Sequence, residues 1–117
     1  MLLGIGIDII ETDRFRTLRN KHEYLHTTFT QAEIECGQQK PNHDIFWAHT
    51  FASKEAILKA FSIGLYYGSF WQQVTFDAAY RVVLTGYVQT LHKPTSKIRI
   101  THSCSRRYAV GCALIHH

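Results

Sequence analysis

The chain has 117 residues, which suits a single domain over residues 1–117, and 45% of them are hydrophobic, enough for a packed core. Charged residues make up only 19%, which argues against disorder, and no apolar run approaches the roughly 18–20 residues that span a bilayer. The formal net charge of +4 favours an anionic partner without choosing among nucleic acid, an acidic protein and a phosphorylated small molecule.

The cysteine pattern indicates a reducing compartment. Cys36, Cys104 and Cys112 form no Cys-x-x-Cys pair and do not suit a disulfide framework, so we interpret them as reduced structural thiols. The eight histidines are scattered and lack zinc-site spacing. The N-terminal segment MLLGIGIDII lacks the basic region and the cleavage site of a signal peptide. We therefore expect a cytoplasmic protein.

The predicted elements begin with one strand and continue with helices. Residues 2–10 are rich in isoleucine, which predicts a buried strand that carries Asp8 near its end. From Glu11 to Arg19 the pattern is helical. The segment Thr30–Glu33 has the form of a capping box and predicts a short helix that ends near Gly37.

The longest helical pattern runs from about His43 to Phe61, with Gly64 as a candidate C-cap. A brief helix is predicted over Gly86–His92. Four strands are predicted in the second half of the chain, over Gln73–Phe76, Tyr80–Thr85, Lys97–Thr101 and Ala109–Ile115. Early helices and late strands, with one strand at the N-terminus, indicate an α+β fold in which an antiparallel sheet packs against one long helix and shorter helices.

One face of the long helix carries the candidate catalytic side chains. Phe51, Glu55 and Lys59 recur at intervals of four residues, and Ser62 follows three residues later, so the four form one stripe. A Glu–Lys pair at this spacing is most often a solvated surface pair. A second cation next to Glu55, that of Lys54, favours a functional interpretation.

Asp8 is the second carboxylate of interest, because an unpaired charge at the end of a buried strand is costly. Its partner could be a helix cap, an arginine such as Arg14, or a cation shared with Glu55. Two oxygen ligands with several open coordination positions suit Mg²⁺, which shares its remaining positions with water and phosphates. Lys54 and Lys59 would then neutralise the rest of the phosphate charge.

Three segments resemble one known family. GIGIDIIETDRF at the N-terminus, FASKEAILKAFSIG in the middle and KIRITHS near the end are similar to the holo-acyl-carrier-protein synthases, the short, trimeric members of the phosphopantetheinyl transferase superfamily. The resemblance runs in order along nearly the whole chain. The Phe-x-x-Lys-Glu-Ala-x-x-Lys element combined with Gly-Ile-Asp carries most of its specificity. It implies a 4′-phosphopantetheinyl transferase-like fold.

The resemblance also implies an activity, the transfer of the 4′-phosphopantetheine arm from coenzyme A to a serine of an apo-acyl carrier protein, with release of 3′,5′-ADP. Asp8 and Glu55 would bind Mg²⁺. Lys59 would contact the coenzyme A phosphates, with Lys54 supporting it.

Further roles follow from the same resemblance. Thr101 and His102 would lie at the coenzyme A site, and Arg14 would bind the acidic carrier. The active sites would lie between subunits of a homotrimer. Glu55, acting through a water on the metal, and His102 are both candidates for the general base. Whether the carrier serves fatty-acid biosynthesis, polyketide synthesis or a specialised pathway stays open.

The sequence departs from the family in three places, one of which is the short helix predicted from Gly86. Only Asp77–Ala79 intervene between Phe76 and Tyr80, where the family usually has a longer turn with a Gly-x-Pro element that shapes the nucleotide pocket. Ser62 also replaces a common glycine. Weaker or altered coenzyme A binding is expected, and a degenerate paralogue that binds a carrier without modifying it stays an alternative.

A small basic nucleic-acid-binding module is the alternative from a different class. Its contacts would come from basic and aromatic side chains, namely Arg14, Arg16, Arg19, Lys21, Tyr66, Tyr67, Phe70 and Trp71. This alternative leaves Asp8 and Glu55 without a role. We therefore expect no nucleic-acid partner and no membrane partner.

Overall fold

Strands at both ends of the chain enclose a helical middle. The computed structural model describes residues 1–18, 21–64 and 70–117. The elements in this part of the chain are, in order, β1 (Leu2–Glu11), α1 (Asp13–Arg16), α2 (Lys21–Thr28), α3 (Gln31–Gln38), α4 (His43–Ala60), a single 3₁₀ turn (Trp71–Gln73), β2 (Val74–Phe76), β3 (Val82–Leu84), α5 (Gly86–Leu91), β4 (Lys97–Cys104) and β5 (Tyr108–His116). Among the described helices, none has both the length and the apolar composition to cross a membrane.

The main sheet has the strand order β1-β5-β4, with both pairings antiparallel, and β2 and β3 form a separate hairpin. Asp8 of β1 pairs with Gly111 of β5, and Gly111 pairs with His102 of β4, so these three residues form one row across the sheet. Residues that lie opposite one another in adjacent strands point to the same face. The row therefore places Asp8 and His102 on one face of the sheet, two strands apart.

Helix α4 lies directly on this face because glycines leave room for its backbone. A Cβ atom on Gly6 would lie 1.9 Å from the carbonyl oxygen of Ala56, and one on Gly111 would lie 2.5 Å from that of Ala52. Ala52 and Ala56 are themselves fully buried. At the row through Gly111 the helix therefore covers the central strand.

The opposite face of β1 is apolar and open. Ile5, Ile7 and Ile9 are each about 60–64% exposed, although they alternate with residues that face α4. The β1 pattern predicted a buried strand, and the strand has the predicted bounds to within one residue. Within one chain, however, only the face toward α4 is covered.

The helix ends show how local sequence sets the boundaries. Thr30 and Glu33 form the predicted capping box at the start of α3. At the end of α4, Ser62 adopts a left-handed conformation with φ of 64°. Its N–H donates to the Lys59 carbonyl at 2.9 Å, and the N–H of Ile63 donates to that of Leu58 at 2.9 Å, which is a Schellman motif. Ser62, and not the predicted Gly64, therefore occupies the left-handed position that ends the helix.

Two further predictions of secondary structure need correction, and one helix was not predicted. The helix predicted from Glu11 to Arg19 is limited to Asp13–Arg16, and Arg19 lies outside the described residues. Gly37 does not end α3 but lies inside it, where it leaves room for the Trp47 ring. Helix α2 was not predicted, because only two of its residues are buried and it has no strong apolar face. Tertiary contacts stabilise it, among them the Gln72 side-chain amide, which donates to the Phe29 carbonyl at 3.1 Å.

Candidate functional site

A cleft of about 370 Å³ lies beside α4, between β1, α1 and the turn that begins at Trp71. Asp8, Arg14 and Glu55 form its polar wall, and we call it the Asp8 cleft. The ammonium group of Lys59 donates to Asp8 Oδ1 at 2.8 Å and to the Ile7 carbonyl at 3.1 Å. The structure thus brings Lys59 to Asp8, beside the cleft that Asp8 shares with Glu55, whereas the stripe on the helix predicted only that Glu55 and Lys59 share one face.

Glu55 is partly buried, and its electrostatic surroundings are mixed. Burial raises the pKa of the Glu55 carboxyl, the hydrogen bond from the Trp71 indole lowers it, and the nearby negative charge of Asp8 raises it. The two carboxylates are therefore close enough to repel each other. Lys59 offsets part of this repulsion, since its charge acts on both groups.

This donor set fits a hard divalent cation. The cleft offers two carboxylates from separate elements, and no cluster of three or more His, Cys, Asp or Glu side chains occurs in the described parts of the chain. Two protein oxygens with the remaining positions left to water and phosphate are what Mg²⁺ accepts, whereas structural zinc sites use four protein ligands. Asp8 and Glu55 could therefore hold Mg²⁺.

Arg14 forms the outer edge of the Asp8 cleft. Its guanidinium carbon lies 5.4 Å from the centroid of the Phe51 ring, and its Nη2 donates to the Tyr24 hydroxyl at 3.4 Å. The side chain is exposed. Arg14 therefore borders both the cleft and the outer surface, where it can meet an incoming anionic partner.

Lys54 lies elsewhere, and its predicted role in phosphate binding is not supported by its position. The side chain is fully buried, and its ammonium group pairs with Glu33 Oε1 at 2.7 Å. It also donates to the carbonyls of Trp71 at 3.1 Å and Val74 at 2.5 Å. Burial lowers its pKa, and the charge of Glu33 raises it. Adjacent helical residues point about 100° apart, so Lys54 faces the core while Glu55 faces the cleft.

His102 lies on the other side of α4, in a second pocket of about 420 Å³ that we call the His102 pocket. Its ring stacks on that of His49, with centroids 4.5 Å apart and planes at 9°. Burial lowers the pKa of His102. Burial, and then the charges of His102 and Lys40, lower the pKa of His49 to about 4. Both rings are therefore predominantly neutral at pH 7.

The shortened turn after Phe76 shapes this second pocket. Asp77 Oδ1 accepts from the backbone N–H groups of Ala79 and Arg81, both at 2.9 Å, which closes the turn. Tyr80 then has a φ of 61°, and its hydroxyl lies 3.1 Å from His49 Nδ1. The turn therefore places a tyrosine ring beside the histidine pair, 5.0 Å from His102 between centroids.

Thr101 and His102 do not share a surface. Thr101 pairs with Cys112, one residue along from the row that contains His102, so its side chain points to the outer face of the sheet. Thr101 is exposed on this outer face, where it lies in one row across the sheet with Cys112 and Ile7. A ligand in the His102 pocket of one chain would contact His102 but not the Thr101 side chain.

The two pockets are thus separate within one chain. Asp8 and His102 lie in one row but two strands apart, about 10 Å between Cα atoms, and α4 lies between their side chains. The sequence motifs indicated both residues but not this separation. His49, Tyr80 and Trp71 were missed as contacts of the site, because no local pattern marks which aromatic or histidine side chains face a pocket.

The nucleic-acid alternative gains no support from the described aromatic side chains. Trp71 packs against Phe51 and Tyr24, with centroids 5.4 Å and 6.1 Å away, so its ring is not an open stacking surface. Arg19, Tyr66 and Tyr67 lie outside the described residues, as does the glycine at position 68.

Comparisons with known proteins agree on one family. The family model described as the 4′-phosphopantetheinyl transferase superfamily matches residues 4–113. The chain is 34% identical to a holo-[acyl-carrier-protein] synthase of Chlorobium phaeovibrioides, over 97% of this chain and 94% of that protein. It is 32% identical to one of Exiguobacterium sp., over 98% of this chain and 93% of that protein.

Solved structures show the same fold. A holo-[acyl-carrier-protein] synthase of Neisseria meningitidis superposes with a TM-score of 0.80 at 21% identity, over 100% of both chains. One of Bacillus anthracis, in complex with CoA (3′,5′-ADP), superposes with a TM-score of 0.76 at 24% identity, over 98% of this chain and 96% of that chain. The predicted α+β fold, an antiparallel sheet against one long helix, is confirmed.

Proposed function

Because the chain belongs to the 4′-phosphopantetheinyl transferase superfamily, we propose that it transfers the 4′-phosphopantetheine arm of coenzyme A to a serine of an apo-acyl carrier protein and releases 3′,5′-ADP. Its full-length relatives carry the name of that activity, and a structural neighbour was solved with CoA (3′,5′-ADP). The observation that carries the proposal is the placement of Asp8 and Glu55 in one cleft, with Lys59 paired to Asp8 beside it.

Asp8 and Glu55 are the residues that would hold Mg²⁺. When bound, the ion would neutralise charge that develops on the phosphate oxygens, which is the main requirement of phosphoryl transfer. Lys59 adds a positive charge at the same place, and its side chain is 42% exposed, so it can reach the pyrophosphate. In the reaction the carrier serine oxygen forms a bond to the β-phosphorus, and the bond from this phosphorus to the bridging oxygen breaks.

The serine proton needs an acceptor, for which the chain offers two groups. Burial raises the pKa of Glu55, which makes its carboxylate a better base than an exposed one. His102, whose pKa burial lowers, is neutral at pH 7 and can also accept a proton. Glu55 is itself one of the two proposed metal ligands, whereas His102 lies in the His102 pocket on the other side of α4.

We further propose that the active site forms between chains of a homotrimer. Each chain presents the Asp8 cleft beside one edge strand, β1, and the His102 pocket beside the other, β4. A closed ring of three copies would join the cleft of one chain to the pocket of the next. The open apolar face of β1, with Ile5, Ile7 and Ile9, would be buried by this association.

Arg14 and the net charge of +4 support an acidic carrier as the protein substrate. We place the reaction in the cytoplasm, which agrees with the three cysteines being free thiols. The carrier would approach over the exposed Arg14 side chain, which borders the Asp8 cleft.

The transfer test uses an apo-carrier, coenzyme A and Mg²⁺, with mass spectrometry to detect the added arm. We expect the chain to convert the carrier, and we expect Glu55→Gln to lower the rate by about 100-fold or more, because it removes one proposed metal ligand. The matched control is Glu35→Gln, since Glu35 is an exposed residue of α3 that accepts a hydrogen bond from the Gln31 side chain. Equal rates for Glu55→Gln and Glu35→Gln would contradict the metal site. A carrier that binds but is never modified would favour the degenerate paralogue.

Subunit mixing tests the shared site. Glu55→Gln and His102→Ala should each be poorly active alone. A mixture that has exchanged subunits should recover up to about a quarter of wild-type activity. The reason is that an active site needs an intact Asp8 cleft from one chain and an intact His102 pocket from the next, and half of the subunits supply each. Sites contained within one chain would recover nothing, since every chain in the mixture carries a defect. Light scattering should give a mass three times the 13.5 kDa of one chain.

A further inference from the structure

Trp71 is held on several sides at the edge of the Asp8 cleft. Its backbone carbonyl accepts from the buried ammonium group of Lys54 at 3.1 Å. Its ring packs between Phe51 and Tyr24. The neighbouring Gln72 ties the same turn to the end of α2 through the Phe29 carbonyl. The indole therefore has little freedom to move relative to α4.

From this fixed position the indole Nε1–H donates to Glu55 Oε1. A glutamate side chain has three rotatable bonds, so a carboxylate on a helix surface samples many orientations unless a partner restricts it. Here the restricting donor is a neutral group, which orients the carboxylate without placing a further positive charge on it. The nearby cations have other partners, since Lys59 bonds to Asp8 and Arg14 bonds to the Tyr24 hydroxyl.

The same contacts give the buried Lys54 an indirect part in the site. Its ammonium group joins three elements, since it bonds to Glu33 of α3, to Trp71 and to Val74 of β2. Lys54 thereby fixes the turn that carries Trp71. The two adjacent residues Lys54 and Glu55 thus contact the same tryptophan, one through its carbonyl and one through its indole.

We propose that Trp71 is a positioning residue, whose indole N–H holds the Glu55 carboxylate in the orientation in which it binds the divalent cation. This inference rests on the proposed function, because it takes Asp8 and Glu55 as the metal ligands. Partners that orient metal ligands typically account for about 10–100-fold in metal affinity. Loss of the indole N–H should therefore weaken Mg²⁺ binding while the fold is kept.

The test compares the two tryptophans of the chain. Trp71→Phe keeps a ring against Phe51 but removes the N–H donor. Trp47→Phe is the matched control, because Trp47 is buried in the core against Phe29 and Phe46. Mg²⁺ is titrated calorimetrically into each variant in the presence of saturating coenzyme A, with the Glu55→Gln protein as the blank. Circular dichroism verifies that each variant is folded.

We expect Trp71→Phe to bind Mg²⁺ about 10–100-fold more weakly than Trp47→Phe, and its transfer reaction to need correspondingly more Mg²⁺, with the KM for the carrier unchanged. Equal Mg²⁺ affinity in the two variants would overturn the inference and leave the proposed function intact. Absence of Mg²⁺ binding above the Glu55→Gln blank in the wild-type protein would overturn the metal site, and with it the inference.

A second measurement needs no substitution at Trp71. In Trp47→Phe, Trp71 is the sole tryptophan, so the emission reports on the surroundings of its indole, which include the Glu55 carboxylate. Addition of Mg²⁺ to the coenzyme A complex should change this emission with the calorimetric midpoint, and Glu55→Gln in the same background should abolish the response. An emission that stays constant while Mg²⁺ binds would contradict the inference, even if Trp71→Phe failed to fold.

Discussion

Substitution of Lys54 by methionine should strongly destabilise the chain, although the surface of the protein would not change. Lys54 is 0% exposed and Glu33 is 4% exposed, so the variant would leave a carboxylate buried without its cation. The Trp71 and Val74 carbonyls would also lose their shared donor. Removal of one partner from a buried ion pair costs about 3–5 kcal/mol.

This magnitude is large against the total free energy of unfolding of a small domain, about 5–15 kcal/mol. Glu33→Gln should leave the Lys54 ammonium group without a counter-charge and so should also destabilise the chain. Its cost should be somewhat smaller than that of Lys54→Met, because the glutamine amide can still cap α3 at Thr30. The double variant Lys54→Met/Glu33→Gln should cost less than the two single variants added together, since neither charge is then left buried alone.

Urea unfolding, followed by circular dichroism at one fixed protein concentration, measures these differences even if the chains associate. The exposed pair Arg16–Asp13, at 2.6 Å, supplies the control, and Arg16→Met should change the free energy of unfolding by less than about 1 kcal/mol. A cost below about 1 kcal/mol for Lys54→Met, or strict additivity of the two single variants, would refute the reasoning.

Three further predictions concern stability. Ser62→Gly should stabilise the chain by about 1 kcal/mol, because glycine adopts the left-handed conformation at the end of α4 without strain. Gly6→Ala should cost about 3 kcal/mol or more, since its Cβ would collide with the Ala56 backbone. The third follows from burial, which lowers the pKa of His49 to about 4. As the pH falls, His49 therefore takes up a proton in the unfolded chain before it does so in the folded chain. The free energy of unfolding should decrease as the pH drops from about 6.5 toward 4.

Each of these three stability predictions has a matched control variant. Ser62→Ala keeps a Cβ and should bring no gain, so equal unfolding free energies for the two Ser62 variants would contradict the first prediction. A Cβ atom on Gly64 would lie 2.7 Å from Lys59 Cγ but 3.4 Å from the Lys59 backbone nitrogen, so Gly64→Ala should cost less than Gly6→Ala in urea unfolding. His49→Phe should reduce the loss of melting temperature between pH 6.5 and pH 4, whereas substitution of the exposed His43 by glutamine should not.

The elements that could be predicted are those whose signals are local. The capping box at Thr30 and Glu33 and the long periodic pattern of α4 depend on residues a few positions apart, and both occur in the structure as expected. Helix α2 was missed for the converse reason, since it depends on contacts with the turn at Gln72 that no local pattern reveals. The end of α4 was predicted to within one residue, but the role of Ser62 in its C-terminal cap was missed, because a serine adopts a left-handed conformation only when the surrounding packing requires it.

The sequence by itself predicted the candidate site: the spacing of Glu55 and Lys59 places them on one helix face, the charge of Asp8 near the end of a buried strand marked a second carboxylate, and the family resemblance added His102. Tertiary structure alone decided which of these side chains meet. Helix α4 packs on Gly111 and so separates His102 from Asp8, and burial turns Lys54 from an expected phosphate ligand into the partner of Glu33. The reason is physical, because periodicity shows which residues share a face of one element, whereas only packing shows what that face contacts.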